Sequence, residues 1–192
     1  LPFLRRPASF HPNPSAADGI PLRVLRTDPA EGRYEILKST LLAIRSARKR
    51  IWIQNPYVAH DDITIALEEA ARRGVDVRLV LPARGDSTIM DQGNIAVARR
   101  LIQAGGRAYS YPRMTHMKVM ICDGWATVGS ANLDTLSMRI NREMNLSFND
   151  PAEVQRLADR VFLPDFRASK RIRFSETASP IAPIAEAIAD QL

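Results

Sequence analysis

His116-Met117-Lys118, then Val119-Met120-Ile121-Cys122-Asp123, then Gly129-Ser130-Ala131-Asn132: this stretch decides how the chain is read. Its pattern is H-x-K-x4-D-x5-G-S-x-N, compressed into seventeen residues. Residues 117–122 are largely apolar and carry no breaker, which predicts a strand. Side chains on one face of a strand recur every second residue, about 6–7 Å apart. His116 and Lys118 therefore project together, with Met120 and Cys122 further along the same face. A neutral imidazole beside a fixed ammonium suits attack on a phosphate: the ring supplies a lone pair and the cation neutralises charge on the oxygens. Ser130 and Asn132 follow a glycine in a tight turn, where a hydroxyl and an amide can reach the same anion. Asp123, at an odd offset from His116, falls on the opposite face and reads as a structural group bonding turn amides.

Outward from this stretch, helices and strands alternate, which argues for an α/β layered fold. The pattern predicts a strand at Leu22–Arg26, an amphipathic helix over Tyr34–Lys49 and a strand from Ile51–Ile53 into the loop Asn55-Pro56-Tyr57. Asp61 or Asp62 is expected to cap a helix that stops at Gly74. Strands follow at Val75–Leu81 and Arg107–Tyr111, separated by a helix over Asn94–Ala104 that Gly105-Gly106 closes. Met144–Phe148 reads as another strand. Asp150, with Pro151 at the first helical position and Glu153 three residues past the cap, opens a helix to Phe162.

The segment Thr115–Asp150 (THMKVMICDGWATVGSANLDTLSMRINREMNLSFND) resembles the HKD motif of the phospholipase D superfamily, and most closely the C-terminal half of bacterial cardiolipin synthases and related phosphatidyltransferases. The likeness extends through Ile51–Leu81 and covers residues 23–170. It implies a phospholipase D-like layered fold, a mixed β-sheet flanked by helices. Asp123 is followed by five residues before Gly129, where the family has six, a change that shortens a hairpin. Family monomers carry two such motifs; this chain has one.

The resemblance implies a catalytic set of His116, Lys118, Asp123 and Glu143, and a phosphate-binding set of His116, Lys118, Ser130 and Asn132. In the family one histidine forms a phosphohistidine while a second protonates the leaving oxygen and then deprotonates the acceptor. Glu143, in Asn141-Arg142-Glu143, matches the family's N-x-E, whose glutamate accepts a proton from the imidazole and fixes its tautomer. Tyr57 resembles the family's P-Y-F loop and is expected at the pocket rim; Trp125 is read as packing. Asp123 keeps its structural reading despite its place in the motif's name.

Composition bounds the rest. At 192 residues, 45% of them hydrophobic, the chain is about one globular domain. Residues 1–22, rich in proline and small residues, read as a linker or leader; 23–175 as the domain; 176–192 as a peripheral tail with a short terminal helix. No run approaches the roughly 18 apolar residues of a membrane span, so an anchor of a membrane-associated parent would lie outside this chain, and the compartment stays open. Cys122 is the one cysteine, which excludes an internal disulfide, and with only His11, His60 and His116 no metal site is expected. No cofactor is implied, since histidine and lysine supply nucleophile and charge. A net charge of +6 favours anionic partners. The clusters Arg45/Arg48/Lys49/Arg50, Arg72/Arg73, Arg99/Arg100 and Arg167/Lys170/Arg171/Arg173 read as solvated residues near helix ends, the last placed to touch an anionic surface.

The mechanism needs two histidines, and neither His11 nor His60 has a lysine two residues on. Activity would require a missing N-terminal HKD half, or a homodimer facing His116 with its own copy. The preferred reading is a half-domain of a phosphatidyltransferase or phosphodiesterase, with an anionic phospholipid substrate and an alcohol acceptor. Two alternatives stand beside it: a homodimeric HKD endonuclease or phosphodiesterase binding nucleic acid with strong salt dependence, and a non-catalytic lipid- or nucleic-acid-binding domain.

Overall fold

The computed structural model describes residues 19–85 and 87–177. Strand β1 (Arg23–Asp28) and the short β2 (Arg33–Tyr34) lead into α1 (Glu35–Ser46), β3 (Arg50–Gln54), α2 (Asp61–Arg72), β4 (Asp76–Pro82), α3 (Thr88–Gln103) and β5 (Arg107–Tyr111). The motif hairpin β6 (Val119–Cys122) and β7 (Trp125–Gly129) follows, then β8 (Glu143–Phe148), α4 (Pro151–Leu157), α5 (Leu163–Ala168) and β9 (Lys170–Arg171). Among the described residues these nine strands join one mixed sheet in the order β2-β1-β8-β7-β6-β3-β4-β5-β9. Within it β3, β4 and β5 are parallel, while β6 runs antiparallel to β3.

Helices cover both faces because the central strands are apolar on both. On one face Ile36, Leu37 and Ile44 of α1, Ile63, Leu67 and Ala70 of α2, and Val97 and Leu101 of α3 pack on Ile51, Ile53, Leu79 and Met120. On the other, Val154, Ala158, Phe162 and Phe166 pack on Trp52, Val80, Val119 and Ile121. Helix α2 buries Ile63, Ala66, Leu67, Ala70 and Ala71, the i, i+3, i+4, i+7, i+8 stripe of an amphipathic helix. The one charged residue that α2 buries, Glu68, is held by Arg72 at 2.8 Å and Arg100 at 2.7 Å.

Several boundaries differ from the sequence reading. His60, not Asp61 or Asp62, is the N-cap of α2, and it makes no side-chain cap bond; the aspartates occupy the first turn, where their charge suits the helix dipole. Helix α3 begins at Thr88 rather than Asn94, with Ser87 Oγ accepting Met90 N–H. The last helix runs on past Phe162, through a wide π turn at Ala158–Phe162, into α5. Pro164 explains the turn: it has no N–H to give and its ring crowds the carbonyl four residues back. Asp150 caps α4 as read, accepting Glu153 N–H at 3.0 Å. Beyond α5, Lys170 and Arg171 form an edge strand on β5 that the sequence reading did not contain. The 1–18 part of the leader and the 178–192 part of the tail, with its expected helix, lie outside the described residues.

Most residues of the basic clusters are exposed, as read, while Arg50, Arg99 and Arg100 are half-buried. Arg50 and Arg78 stack on Trp52, Arg99 lies over Phe174, and Arg73 donates to the carbonyls of Ile44 and Arg45 at the end of α1. Among the described residues no helix is long and apolar enough to cross a membrane, and no group of three or more His, Cys, Asp or Glu could hold a metal ion.

Candidate active site

Strand β6 starts two residues later than the sequence implied, so His116 and Lys118 lie on the segment entering it. The backbone ladder still reaches Lys118, whose carbonyl accepts Gly129 N–H at 3.2 Å. That bond sets the histidine segment beside the turn after β7. Lys118 Nζ stands 2.7 Å from His116 Nδ1 and 3.2 Å from the His116 carbonyl. An ammonium only donates, so Nδ1 is the acceptor and the neutral ring carries its proton on Nε2. His116 is exposed, and Met120 and Cys122 further along β6 are buried in the α1–α3 core.

The turn after β7 is clipped to β8. Ser130 N–H donates to the Met144 carbonyl at 3.1 Å, and Ser130 Oγ accepts Met144 N–H at 3.0 Å. The same hydroxyl donates to Glu143 Oε2. Ser130 and Glu143 are therefore partners, and the start of β8 is brought against the glycine turn. Asn132 bonds Asp134 through its side chain, while its own Oδ1 is buried without a hydrogen bond among the described residues. Burial lifts the Asp134 carboxyl above the ordinary carboxylate range, against bonds from Ser137 and Asn132, and the nearby Glu143 charge adds to the rise.

Asp123 lies at the opposite end of β6. Its carboxylate accepts the backbone amides of Arg48, Lys49 and Arg50 at 2.8, 2.9 and 2.9 Å. Partial burial opposes ionisation, but these three donors and the Lys49 charge hold the group below its usual range. Asp123 also takes a φ of +50°, the left-handed conformation that closes the hairpin and that aspartate tolerates better than most residues. Cys122 beside it is buried, and desolvation together with the Asp123 charge pushes its thiol far above the ordinary range. A cleft of about 370 Å³ opens here, bounded by Arg23, Leu42, Asp123 and Trp125, away from His116.

Tyr57 is buried against Ala59 and Met90, and its hydroxyl has no hydrogen-bond partner among the described residues. Its loop is stitched to the segment after the glycine turn: Leu133 N–H donates to the Tyr57 carbonyl, and Ala59 and His60 N–H donate to that of Leu133. Asn94 of α3 clamps the loop, donating to the Pro56 carbonyl at 2.7 Å and accepting Val58 N–H at 3.1 Å. His60 is buried, with Nε2 accepting from Arg139. Sequence reasoning missed Asn94, Asp134 and Asn145. The available signal was polar residues at inward positions of otherwise apolar elements.

A mixed sheet layered between helices, with an H-x-K segment and a glycine turn meeting at one end of the interior strands β6 and β7, defines a phospholipase D-like domain. A family model described as "Cardiolipin synthase, PLD-like domain" matches residues 41–162, and the chain belongs to that family. It is 34% identical over 180 residues to cardiolipin synthase A of Pseudomonas syringae, an alignment covering 92% of this chain and 36% of that protein. The chain thus spans about a third of the length of that relative. Among solved structures, Nuc of Salmonella typhimurium, a phospholipase D family member, superposes with a TM-score of 0.68 at 25% identity, covering 80% of this chain and 98% of that one. Phosphatidylserine synthase of Haemophilus influenzae shares the fold, with a TM-score of 0.73 at 12% identity over 89% of this chain and 48% of that one.

Proposed function

We propose that this domain cleaves a phosphodiester of an anionic phospholipid and transfers the phosphatidyl group to an alcohol, working as the C-terminal half of a two-motif enzyme. The observation that carries the reading is the 2.7 Å approach of Lys118 Nζ to His116 Nδ1. It sets the ammonium against the imidazole and puts a cation where phosphate oxygens would lie. The family supports the reaction type, and the likeness to a cardiolipin synthase supports a glycerophospholipid substrate.

In the first step an imidazole nitrogen forms a bond to phosphorus as the bond to the leaving alkoxide breaks, and a second imidazole protonates that oxygen. In the second step the acceptor alcohol gives its proton to the second imidazole and attacks phosphorus, and the phosphorus–nitrogen bond breaks. Lys118 and the turn at Ser130–Asn132 stabilise the charge on the non-bridging oxygens. In this reading His116 is the acid/base if a second motif lies elsewhere in a longer chain, and a nucleophile if two copies pair. Glu143, through its bond to Ser130, braces the turn beside Lys118. Asp123 serves the scaffold, and Tyr57, buried against Ala59 and Met90, belongs to the loop that bonds Leu133 after the turn.

His116→Ala should abolish turnover of a diester by the complete enzyme, a fall of at least 10⁴-fold. Full turnover by that variant would sink the assignment. Denaturing the enzyme during turnover and mapping an acid-labile phosphoramidate would show which histidine is the nucleophile. A second reading, a homodimeric phosphodiesterase acting on nucleic acid, draws on the match to nearly the whole of the Nuc chain. It predicts diester hydrolysis by this chain alone and salt-sensitive DNA binding.

A further inference from the structure

Asn145, in the middle of β8, is only 5% exposed, and the mechanism above does not use it. Its Oδ1 accepts Ala131 N–H at 3.2 Å, and its Nδ2 reaches Thr127 Oγ1 at 3.4 Å. A backbone amide only donates, which fixes the orientation of the carboxamide. Ala131 lies between Ser130 and Asn132, so its amide anchors the backbone from which both side chains project. Its own side of the turn is buried, with 2% exposure, leaving that N–H little access to water.

The motif glycine points to the same residue. Gly129 pairs with Asn145 across the β7–β8 ladder. A Cβ at Gly129 would lie 2.1 Å from Asn145 Oδ1 and 2.5 Å from Asn145 Cα. Glycine at 129 is thus what allows the strands and the carboxamide to close under the turn. Asn145 and Lys118 also line, with Asn55 and Thr127, one small cavity of about 10 Å³. A single buried amide therefore meets the end of β7, the turn and the space behind the lysine.

We propose that Asn145 is the positioning residue of the phosphate-binding turn: through Ala131 it holds Gly129–Asn132 in the conformation that presents Ser130 and Asn132 beside Lys118. This rests on the phosphate-site reading above. Asn145 acts through the backbone and touches no substrate.

The test uses the full chain, ¹⁵N-labelled, and reads two quantities: hydrogen exchange at the Ala131 amide and affinity for inorganic phosphate from the shifts of residues 130–132. In Asn145→Ala the acceptor is gone. Ala131 exchange should accelerate at least tenfold while the Ile53 amide in the central sheet is unchanged, and phosphate should bind about tenfold more weakly, the size of one hydrogen bond. Asn145→Asp keeps an oxygen for Ala131 and should preserve its protection, but its negative charge behind Lys118 should weaken phosphate by more than the alanine does. If Asn145→Ala does not fold, Asn145→Asp carries the test: an unprotected Ala131 amide in that folded variant overturns the proposal. So does an Asn145→Ala variant with an open Ala131 amide and wild-type phosphate affinity. A wild-type chain with Ala131 protected and no phosphate response would instead remove the phosphate site itself, and this assignment with it.

Discussion

His116 and Asp123 lie toward opposite ends of β6, seven positions apart in the chain. At Asp123 three backbone amides converge on one carboxylate, tying the α1–β3 connection to the motif hairpin. Asp123→Ala should cost about 2–3 kcal/mol in urea unfolding at neutral pH, and Asp123→Asn less, because asparagine keeps one acceptor and tolerates the positive φ. The pH dependence has a definite sign. The folded-state pKa is depressed, so this stabilisation is present above the unfolded value near 3.9 and is lost as pH falls through the folded one. Asp123→Ala should therefore flatten the acid limb of the stability profile below about pH 4. An acid limb identical to wild type would show that the carboxylate contributes nothing.

At the scale of elements, α4, the π turn and α5 act as one lid over the Trp52 face of the sheet. Phe162 is fully buried, with ring centroids 6.0 Å from Trp52 and 5.9 Å from Phe166, and Trp52 meets Phe166 edge-on at 5.2 Å. Phe162→Ala should lose about 3–5 kcal/mol in denaturant unfolding. His116 and the glycine turn are placed by strands whose opposite face is packed on α1–α3, so the Lys118–His116 contact should persist in any folded fraction. A loss below 1 kcal/mol would mean that the lid repacks. The strand periods of β5 and β8 and the Asp150 cap were legible because alternation and capping are local. The start of α3 and the edge strand β9 were not. The polar stretch Asp91–Asn94 separates Ile89 and Met90, just after Ser87, from the apolar positions that begin at Ile95, and Lys170–Arg171 have no strand pattern of their own and borrow order from β5.

For the molecule as a whole, the open question is where a second imidazole comes from. Light scattering paired with hydrolysis of a chromogenic diester on one sample decides it. An inactive monomer is the expected outcome for half of a two-motif enzyme. A dimer that turns over would mean that His116 meets its own copy, and would favour the homodimeric reading. The chain's match to about a third of one relative and to nearly all of Nuc frames both outcomes.

By itself the sequence determined the alternation of helices and strands, the pairing of His116 with Lys118 and the glycine turn, because each depends on spacing within a few residues. It also read Asp123 as a structural group rather than a catalyst. Only the tertiary structure decided what the carboxylates and amides bond: Glu143 to Ser130, Asp134 to Asn132, Asn145 to Ala131, and Asp123 to the amides of residues 48–50. The last of these bonds spans more than seventy residues of chain. Asn145 is legible only once β8 is paired with β7. A hydrogen bond is set by distance in space, and strand order, which brings these groups together, is a property of the packed sheet rather than of any short stretch of chain.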